Sequence, residues 1–553
     1  MNFLSKYLNK VEFENYEDFA ANCRIKDVDD FNFGYDIVDE YARVSPDKRA
    51  LVWCDNHGNE KIFTFEEMSK ASNRVANMLL SLGLKRGDVV MTMLNRRYEY
   101  YLVNVACCKL GLIIIPATFM LTEKDISYRC NLAGVKMIIS IDKDDILTHI
   151  KNSKNDCKTL EKIMTISEVD SFLNFHALSD TAPETLNTGY RPALNDTMLI
   201  YFTSGTTGYP KMVAHSFKYP LGFIMNAAFW QDVVDDGLHF TMAETGWAKF
   251  SWGKIYGQWI AGSAVFCYEF LGRFTPTDVL PLISKYGINT FCAPPTIYRF
   301  LIKEDMSKYD FSSLTHCSTA GEPLNAAVAQ AFYNATGLQI YEGFGQSESA
   351  VLLGTFKYCK PCYGSMGLPC TPIYDIVLCD SDGNEVGDNT VGEICVRLRE
   401  NQFGLLIGYH GDSENTRRSL GGKYYGTGDL AKRDENGLYW FVGRKDDIIK
   451  SSGYRIGPFE VESALHEHPA VKECAITGVP DLEGERGQLV KATIVLSKGY
   501  TPSAALIKEL QDYVKHATAP YKYPRVVEFV DELPKTISGK IMRKDIRKND
   551  ENK

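Results

Sequence analysis

The chain has 553 residues and a net charge of −9 at pH 7, with 45% hydrophobic and 24% charged residues. This length exceeds one ordinary core, so we expect more than one domain, and the composition is that of a globular protein. Basic residues are scattered rather than gathered in a stripe, which argues against nucleic-acid binding. No apolar window of about 18 residues predicts a membrane-spanning helix.

The N-terminal segment and the cysteines favour a cytoplasmic protein. Residues 2–19 contain no apolar stretch of the signal-peptide kind and turn acidic, which argues against secretory or mitochondrial targeting. The 15 irregularly spaced cysteines suggest reduced, mostly buried thiols. The lone pair Cys359 and Cys362 has no second pair or neighbouring histidines, so a metal or redox site is the weaker interpretation. Monomer and homodimer both stay open.

Predicted strands alternate with predicted helices after an irregular lead-in of about 45 residues. Residues 151–195 are polar and are interpreted as surface elaboration, and the apolar segment after residue 211 looks helix-like. Helices between strands predict parallel crossover units and a covered sheet. The predicted strands are 51–55, 88–94, 111–117, 135–141, 198–202, 264–270 and 288–295, and the predicted helices are 64–83 and 98–110.

The pattern changes in the last third of the chain. Residues 370–398 contain short strands around an Asp-Gly turn, which predicts an antiparallel, barrel-like piece. Two helices (459–468, 503–517) and three strands (474–480, 489–496, 525–530) are then predicted. The predicted fold is α/β. A large N-terminal domain, residues 1–445, has parallel sheets with flanking helices plus the barrel-like piece, and a small mobile α+β domain spans residues 446–553.

Residues 203–211, TSGTTGYPK, form a glycine-hydroxyl loop that leaves a short buried strand and ends in a lysine. Free backbone N–H groups and a lysine can surround the oxygens of a polyphosphate. The loop is not a Walker A loop, because its glycines are too close together and Met212 follows the lysine. By itself it could be an ordinary surface turn, but four further motifs favour a functional loop.

The four further motifs lie downstream. In residues 341–348, YEGFGQSE, glycines allow close backbone approach, aromatics offer flat surfaces and Glu348 offers an oxygen ligand for magnesium, although a helix N-terminus would look similar. The sequence GTGD places the carboxylate of Asp429 on a tight turn that can bind ribose hydroxyls. Residues 443–457 combine a basic residue, a charged pivot and a glycine-serine loop, and residues 534–543 place Lys540 beside a glycine.

In this order and spacing the five motifs resemble the adenylate-forming, or AMP-binding, superfamily, and within it the medium-chain acyl-CoA synthetases. The resemblance extends from about residue 35 to residue 546. It implies an AMP-forming acid–thiol ligase that adenylates a small carboxylic acid with ATP and Mg²⁺ and passes the acyl group to coenzyme A.

The resemblance also implies roles for individual residues. The catalytic residues are Lys540, Ser347 and Glu348, with Glu348 as the magnesium ligand and Asp446 as the hinge about which the small domain turns. The ATP-binding residues are Thr203, Ser204, Gly205, Thr206, Thr207, Gly208, Lys211, Gly321, Glu322, Glu342, Gly343, Phe344, Gly345, Gln346, Ser347, Asp429, Arg444 and Lys540. The coenzyme A-binding residues are Ser452, Gly453, Tyr454, Arg455 and Arg486.

Gly345 bears on the length of the acid. Acetate-selective relatives carry tryptophan at the matching place, so the resemblance implies an open tunnel and an acid longer than acetate. Trp247 and Trp252 are interpreted as further walls of an apolar acyl pocket, whereas Trp259 fits a core helix better. A medium-chain acid is predicted, and branched and aryl acids stay open because one methylene changes binding by only about 1–3 kcal/mol.

Three alternative functions share these motifs. An adenylating enzyme that loads a carrier protein is disfavoured because no carrier domain follows Lys540, and nothing favours a luciferase-type oxygenase. A catalytically silent nucleotide-binding regulator should have lost Lys540 or Glu348, and both are present. Lys540 is also a candidate for acetylation, which would remove its charge and silence adenylation.

Overall fold

A computed structural model describes residues 2–203, 210–272, 274–451, 454–481, 487–536 and 541–551, with the backbone alone at Arg455 and Glu551. The chain forms two compact units. The larger unit comprises Met1–Ile376 and Arg397–Tyr425, and the smaller comprises Val377–Val396 and Gly426–Lys553. Among the described residues, no helix combines the length and the apolar character needed to cross a membrane.

The strands are numbered in chain order through both units. They are β1 (Arg49–Asp55), β2 (Glu60–Thr64), β3 (Val89–Met93), β4 (Ile113–Pro116), β5 (Val135–Ser140), β6 (Lys162–Thr165), β7 (Leu173–Asn174), β8 (Thr197–Thr203), β9 (Lys211–Ser216), β10 (Leu238–Thr241), β11 (Ala264–Glu269), β12 (Thr290–Ala293), β13 (His316–Ala320), β14 (Ile340–Phe344), β15 (Leu353–Gly354), β16 (Leu368–Pro369), β17 (Ile376–Cys379), β18 (Val391–Arg397), β19 (Gly408–Tyr409), β20 (Tyr424–Arg433), β21 (Tyr439–Arg444), β22 (Ile449–Ser451), β23 (Tyr454–Ile456), β24 (Val471–Pro480), β25 (Gln488–Leu496) and β26 (Val526–Phe529).

The α-helices are α1 (Leu4–Tyr7), α2 (Tyr16–Asn22), α3 (Glu40–Val44), α4 (Phe65–Ser81), α5 (Glu99–Leu110), α6 (Glu123–Ala133), α7 (Asp144–Ser153), α8 (Phe175–Ser179), α9 (Tyr219–Ile224), α10 (Ala248–Gly253), α11 (Tyr256–Ile260), α12 (Pro276–Tyr286), α13 (Pro295–Leu301), α14 (Ala326–Thr336), α15 (Ser413–Leu420), α16 (Pro458–His466), α17 (Ala504–Ala517) and α18 (Arg543–Glu551). Short 3-10 turns occur at Lys154–Asp156, Met306–Lys308 and Pro520–Lys522, and single π-helical turns at Gly34–Asp39 and Met225–Trp230.

The larger unit is built on two mainly parallel sheets. One has the strand order β16-β15-β14-β13-β12-β10-β11-β1-β2 and the other the order β19-β9-β8-β4-β3-β5-β6-β7. Strands β10 to β14 pair in parallel, and so do β3 to β7. Almost every residue of these central strands is buried, as expected where helices cover both faces of a sheet.

Local signals in the sequence account for the ends of the crossover helices. Thr64 begins α4 with a reciprocal capping box, in which its hydroxyl accepts from the Glu67 N–H and the Glu67 carboxylate accepts from the Thr64 N–H. Gly111 ends α5 in a left-handed conformation at φ 65°, which favours glycine. The prediction of parallel strands connected by helices is confirmed.

The smaller unit contains the remaining sheets. In the sheet of order β17-β18-β20-β21, strands β17 and β18 lie within the predicted barrel-like piece at residues 370–398, and β20 pairs antiparallel with β21. Strand β22 pairs with β23, and β24-β25-β26 forms the last sheet. Helices α16 and α17 enclose an apolar core with β24 and β25, to which Val461, Ile476 and Leu510 contribute. The predicted domain boundary between residues 445 and 446, with Asp446 as the hinge, stays a prediction.

Three predictions about secondary structure need correction. The segment after residue 211 is not helix-like, because β9 pairs antiparallel with β8 before α9 begins. Residues 151–195 were predicted to be surface elaboration, but they contain β6 and β7, which extend a sheet. Helix α18 was not predicted. The cysteines all lie within the described residues as free thiols, and most are buried, as expected.

Candidate active site

The predicted phosphate loop joins two paired strands of the larger unit. Thr203 ends β8, Lys211 begins β9, and the two residues face each other in the antiparallel pair. The two ends of the loop are therefore held close together. The Nζ atom of Lys211 lies 5.1 Å from the centre of the Tyr409 ring. Ser204, Gly205, Thr206, Thr207 and Gly208 lie outside the described residues, so their contact with phosphate stays a prediction.

The turn after β14 is fixed by hydrogen bonds from distant parts of the larger unit. His215 Nε2 lies 2.8 Å from the carbonyl oxygen of Ser347. The N–H of Leu406 donates to the carbonyl oxygen of Glu348 at 2.7 Å. Burial lowers the pKa of His215 to about 4, so its ring is neutral at pH 7 and donates through Nε2. These hydrogen bonds hold the backbone of Ser347 and Glu348 in one conformation.

Glu348 was predicted as a magnesium ligand, and its surroundings fit that role. The side chain is half-buried. Burial, together with the nearby charge of Glu348, raises the pKa of Tyr409 to about 12. Within the described ranges no cluster of three or more His, Cys, Asp or Glu side chains could hold a metal by itself. Mg²⁺ that arrives with a nucleotide usually takes one or two carboxylates from the protein, and phosphate oxygens supply further ligands, so Glu348 suits this role.

Two predicted adenine-side residues follow β13. Gly321 has φ 101°, a backbone conformation that a side chain would strain. The carboxylate of Glu322 accepts hydrogen bonds from Thr296 Oγ1 at 2.9 and 3.0 Å and from Arg299 Nη2 at 3.2 Å. These contacts hold the Glu322 side chain in one orientation.

The predicted adenine-side residues of the second motif differ in their surroundings. The Tyr425 hydroxyl donates to Gln346 Oε1 at 3.0 Å, and Phe344 is half-buried at the end of β14. Glu342 is buried, and its Oε1 accepts from the Leu324 N–H at 3.3 Å. Burial raises the pKa of Glu342 to about 8, so this carboxyl is protonated at pH 7. A contact of these residues with adenine stays a prediction.

Gly345 lies directly against aromatic rings. A Cβ at this position would lie 2.5 Å from Trp252 Cη2 and 2.6 Å from the Ala350 carbonyl oxygen. A Cβ at Gly343 would lie 2.5 Å from Trp230 Cε2. The rings of Trp230 and Trp252 meet edge to face with their centroids 5.8 Å apart. Two glycines and two tryptophans therefore form one tightly packed group, and no side chain could be added to either glycine without moving a ring.

The other tryptophans of this region have different positions. Trp247 is half-buried at the N-cap of α10. Trp259 is fully buried, as expected for a core residue, and its Nε1 donates to the Ala50 carbonyl oxygen at 2.9 Å. Sequence reasoning missed Trp230, which no motif contains. It ends the π-helical turn Met225–Trp230, and such turns are frequent at functional sites.

The predicted ribose ligand lies in the smaller unit. Asp429 on β20 faces Arg444 on β21, and Arg444 Nη1 lies 3.2 Å from Asp429 Oδ2. Asp429 is buried, whereas the Arg444 side chain is partly exposed. The Nε atom of Arg444 also lies 3.5 Å from Oδ1 of Asp446, the predicted hinge.

Most of the predicted coenzyme A residues lie outside the described part of the chain. These are Ser452, Gly453 and Arg486, together with the side chain of Arg455, and the same holds for Lys540. Tyr454 is described and exposed. Its ring stacks on Tyr521 with centroids 4.0 Å apart and planes 13° from parallel.

Comparison with known proteins identifies the family. The model of the AMP-binding enzyme family matches residues 38–409, and that of the AMP-binding enzyme C-terminal domain matches residues 460–540. The chain belongs to the AMP-binding enzyme family. The family predicted from the five motifs is therefore confirmed.

Similar curated proteins and solved structures span nearly the full chain. Acyl-coenzyme A synthetase ACSM3, mitochondrial, from Homo sapiens is 41% identical over 97% of this chain and 93% of its own length. ACSM5, mitochondrial, from Rattus norvegicus is 41% identical over 94% and 90%. The anthranilate CoA ligase AuaEII, solved with anthranoyl-AMP, has a TM-score of 0.83 at 30% identity over 94% of this chain and 97% of that one. The Brucella canis acyl-CoA synthetase has a TM-score of 0.71 at 30% identity, with 94% of each chain covered. The predicted fold class is confirmed.

Proposed function

We propose that the chain is an ATP-dependent, AMP-forming acyl-CoA synthetase that acts on a medium-chain carboxylic acid. The observation that carries this proposal is 41% identity over nearly the whole chain to proteins named acyl-coenzyme A synthetases. A carboxylate oxygen attacks the α-phosphorus of ATP, and the bond to pyrophosphate breaks. The thiol of coenzyme A then loses its proton, its sulfur attacks the acyl carbonyl carbon, and AMP leaves. Activation is needed because the oxygen of a free carboxylate is a poor leaving group.

Residues of both units would support the first step. The loop from Thr203 to Lys211 would surround the β- and γ-phosphates, and Asp429 would accept hydrogen bonds from the ribose hydroxyls. Lys540 would stabilise the charge that develops on the transferred phosphate, an effect worth about 3–4 kcal/mol. Magnesium held by Glu348 would supply further neutralisation of phosphate charge. The fixed turn at Ser347 and Glu348 supports this assignment, because preorganised groups need no reorganisation during the reaction.

The acid would bind against Gly345, Trp252 and Trp247. The close packing of Trp252 on Gly345 supports a pocket whose depth depends on the absence of a side chain at residue 345. Apolar walls suit an alkyl chain, and aromatic walls also suit a branched or aryl acid. We propose a medium-chain acid of about four to ten carbons, since pocket size discriminates by about 1–3 kcal/mol per methylene.

The second step would require a change of arrangement. We propose that residues 446–553 turn about Asp446 between adenylation and thioester formation, so that coenzyme A can approach where Lys540 stood. Ser452, Gly453, Tyr454, Arg455 and Arg486 would contact coenzyme A in the second arrangement. The exposed ring of Tyr454 supports its part in this assignment.

A cytoplasmic location and acetylation of Lys540 belong to the same proposal. The curated relatives carry the word mitochondrial in their names. Fractionation of cells that produce the native protein tests the location, and recovery in mitochondria would contradict it. Mass spectrometry of the purified protein tests acetylation at Lys540.

Release of pyrophosphate dependent on coenzyme A is the test of the function. Saturated acids from acetate to decanoate, with 2-methylbutyrate and benzoate, are compared with and without coenzyme A. We expect a maximum between four and about ten carbons, and formation of AMP equal to that of thioester. Pyrophosphate release that is indifferent to coenzyme A would point instead to a carrier-loading enzyme. Absence of release with every acid would contradict the proposal.

A further inference from the structure

Adjacent aspartates at the predicted hinge contact different partners within the smaller unit. Asp446 forms an ion pair with Arg444, whose Nε lies 3.5 Å from Asp446 Oδ1. The carboxylate of Asp447 instead faces helix α18. Its Oδ1 lies 2.7 Å from Arg547 Nη1, and its Oδ2 lies 3.5 Å from Arg543 Nη1. The Asp447 side chain is only 13% exposed, so solvent screens these pairs weakly.

Arg543 anchors the start of α18 independently. Its Nη2 donates to both carboxylate oxygens of Glu462 on α16 at 2.7 Å, and its Nε donates to Oε1 at 3.1 Å. Glu462 is itself buried and accepts from the Ile476 N–H of β24 at 2.8 Å. Such a forked contact fixes direction as well as distance. Asp447 therefore joins an arginine whose position is already fixed on the core of the smaller unit.

The helix that Asp447 contacts continues directly from the segment that contains Lys540. The N–H of Met542 donates to the carbonyl oxygen of Pro534 at 2.8 Å, and Lys535 pairs with Ile541 in an antiparallel bridge. These contacts close the stem of a loop. Because Arg543 follows the stem at once, any shift of α18 shifts the stem as well.

We propose that Asp447 is a positioning residue for adenylation, a role that rests on the proposed function. Through Arg543 and Arg547 it fastens the residues just after the hinge to the helix and stem that carry the Lys540 loop. When the chain turns about Asp446, α18, the stem and the residues that follow the hinge then move as one body. Without the Asp447 carboxylate, Arg547 loses this ion pair and Arg543 keeps its contacts with Glu462, so the position of the stem is less strictly fixed.

The two half-reactions of Asp447→Asn test this role. We expect acid-dependent exchange of pyrophosphate into ATP to fall about 10- to 100-fold in kcat, since a misplacement of about 1 Å costs about that much, while the KM for ATP stays unchanged. Thioester formation from supplied acyl-adenylate and coenzyme A should stay within about twofold of wild type, because it does not use Lys540. Asp447→Glu keeps the charge and should recover most of the exchange.

Two further variants make the outcome decisive. Arg547→Gln removes the other half of the contact and should reproduce the selective loss, even where Asp447→Asn does not fold. Asp388→Asn breaks an exposed pair with Arg433 in the same unit, at 2.5 Å, and should leave both half-reactions unchanged. If an active Asp447→Asn or Arg547→Gln variant slows both half-reactions equally, or slows neither, the positioning role is wrong. A wild-type protein without acid-dependent exchange would overturn the proposed function and the positioning role with it.

Discussion

Replacing Gly345 by alanine tests whether this glycine sets the length of the acid. The new Cβ would lie 2.5 Å from Trp252 Cη2, whereas carbon atoms pack best at about 3.5–4.0 Å. The new Cβ would also lie 2.6 Å from the Ala350 carbonyl oxygen, so both the Trp252 ring and this carbonyl group must move, the ring by about 1 Å. Either the methyl group or the displaced ring then occupies about one methylene of pocket length. One methylene changes selectivity by about 1–3 kcal/mol, so kcat/KM for the longest accepted acid should fall about 10- to 200-fold.

The assay measures kcat/KM for straight-chain acids of increasing length by AMP formation dependent on coenzyme A. The optimum should move to shorter acids, and the shortest accepted acid should change less than about twofold. Gly354→Ala is the matched control, because its Cβ would meet Val351 Cγ2 at an ordinary 3.4 Å. That control should keep the wild-type length profile. An equal loss of activity at every chain length in Gly345→Ala would refute the reasoning, since it would indicate general damage rather than a shorter pocket.

Three further predictions concern buried or charged groups. Folding holds Glu342 protonated to about pH 8 against 4.5 when unfolded. The free energy of unfolding of the native state therefore falls as pH rises through this interval, by about 1.4 kcal/mol per pH unit. In urea unfolding, Glu342→Gln should lack this decline and should be more stable than wild type at pH 8.5. If the free energies of unfolding of the two proteins change in parallel with pH, this prediction is wrong. Asp429→Asn should raise the KM for ATP about 10- to 100-fold through loss of charged hydrogen bonds, and 2′,3′-dideoxy-ATP should abolish the difference between variant and wild type. Lys540→Gln should slow adenylation about 100- to 1,000-fold but spare thioester formation from supplied acyl-adenylate, and an unchanged adenylation rate would remove Lys540 from the mechanism.

Local patterns predicted the parts of the fold that local interactions determine. The helix predicted at residues 64–83 is α4, because Thr64 and Glu67 form a capping box whose spacing is visible in the sequence. The buried strands at 88–94 and 135–141 are β3 and β5, since continuous apolar runs are typical of covered parallel sheets. The motif residues Asp429 and Arg444 could be named, but only the pairing of β20 with β21 brings them together.

Features that depend on contact with another element of the fold could not be predicted in this way. The segment from Lys211 becomes β9 because β8 offers it a hydrogen-bonding edge, and its own sequence carries no clear alternation. Trp230 reaches Gly343 of β14 through a π-helical turn that no sequence motif predicts. Arg543 and Glu462 meet only after the smaller unit has folded. For Trp230 and Arg543 the deciding interaction joins residues far apart in the sequence.

Close packing fixes the proposed acid-binding residues Gly345 and Trp252, whereas backbone hydrogen bonds fix the turn at Ser347 and Glu348. Substitutions at the two places should therefore have different effects. Gly345 and Trp252 are packed so closely that selectivity depends on excluded volume, and one added carbon is enough to change it. Ser347 and Glu348 lie on a turn whose carbonyl groups accept hydrogen bonds from His215 and Leu406, so their backbone does not depend on the size of the acid. Changes at Gly345 should therefore alter the ratio of kcat/KM between long and short acids more than they alter the KM for ATP.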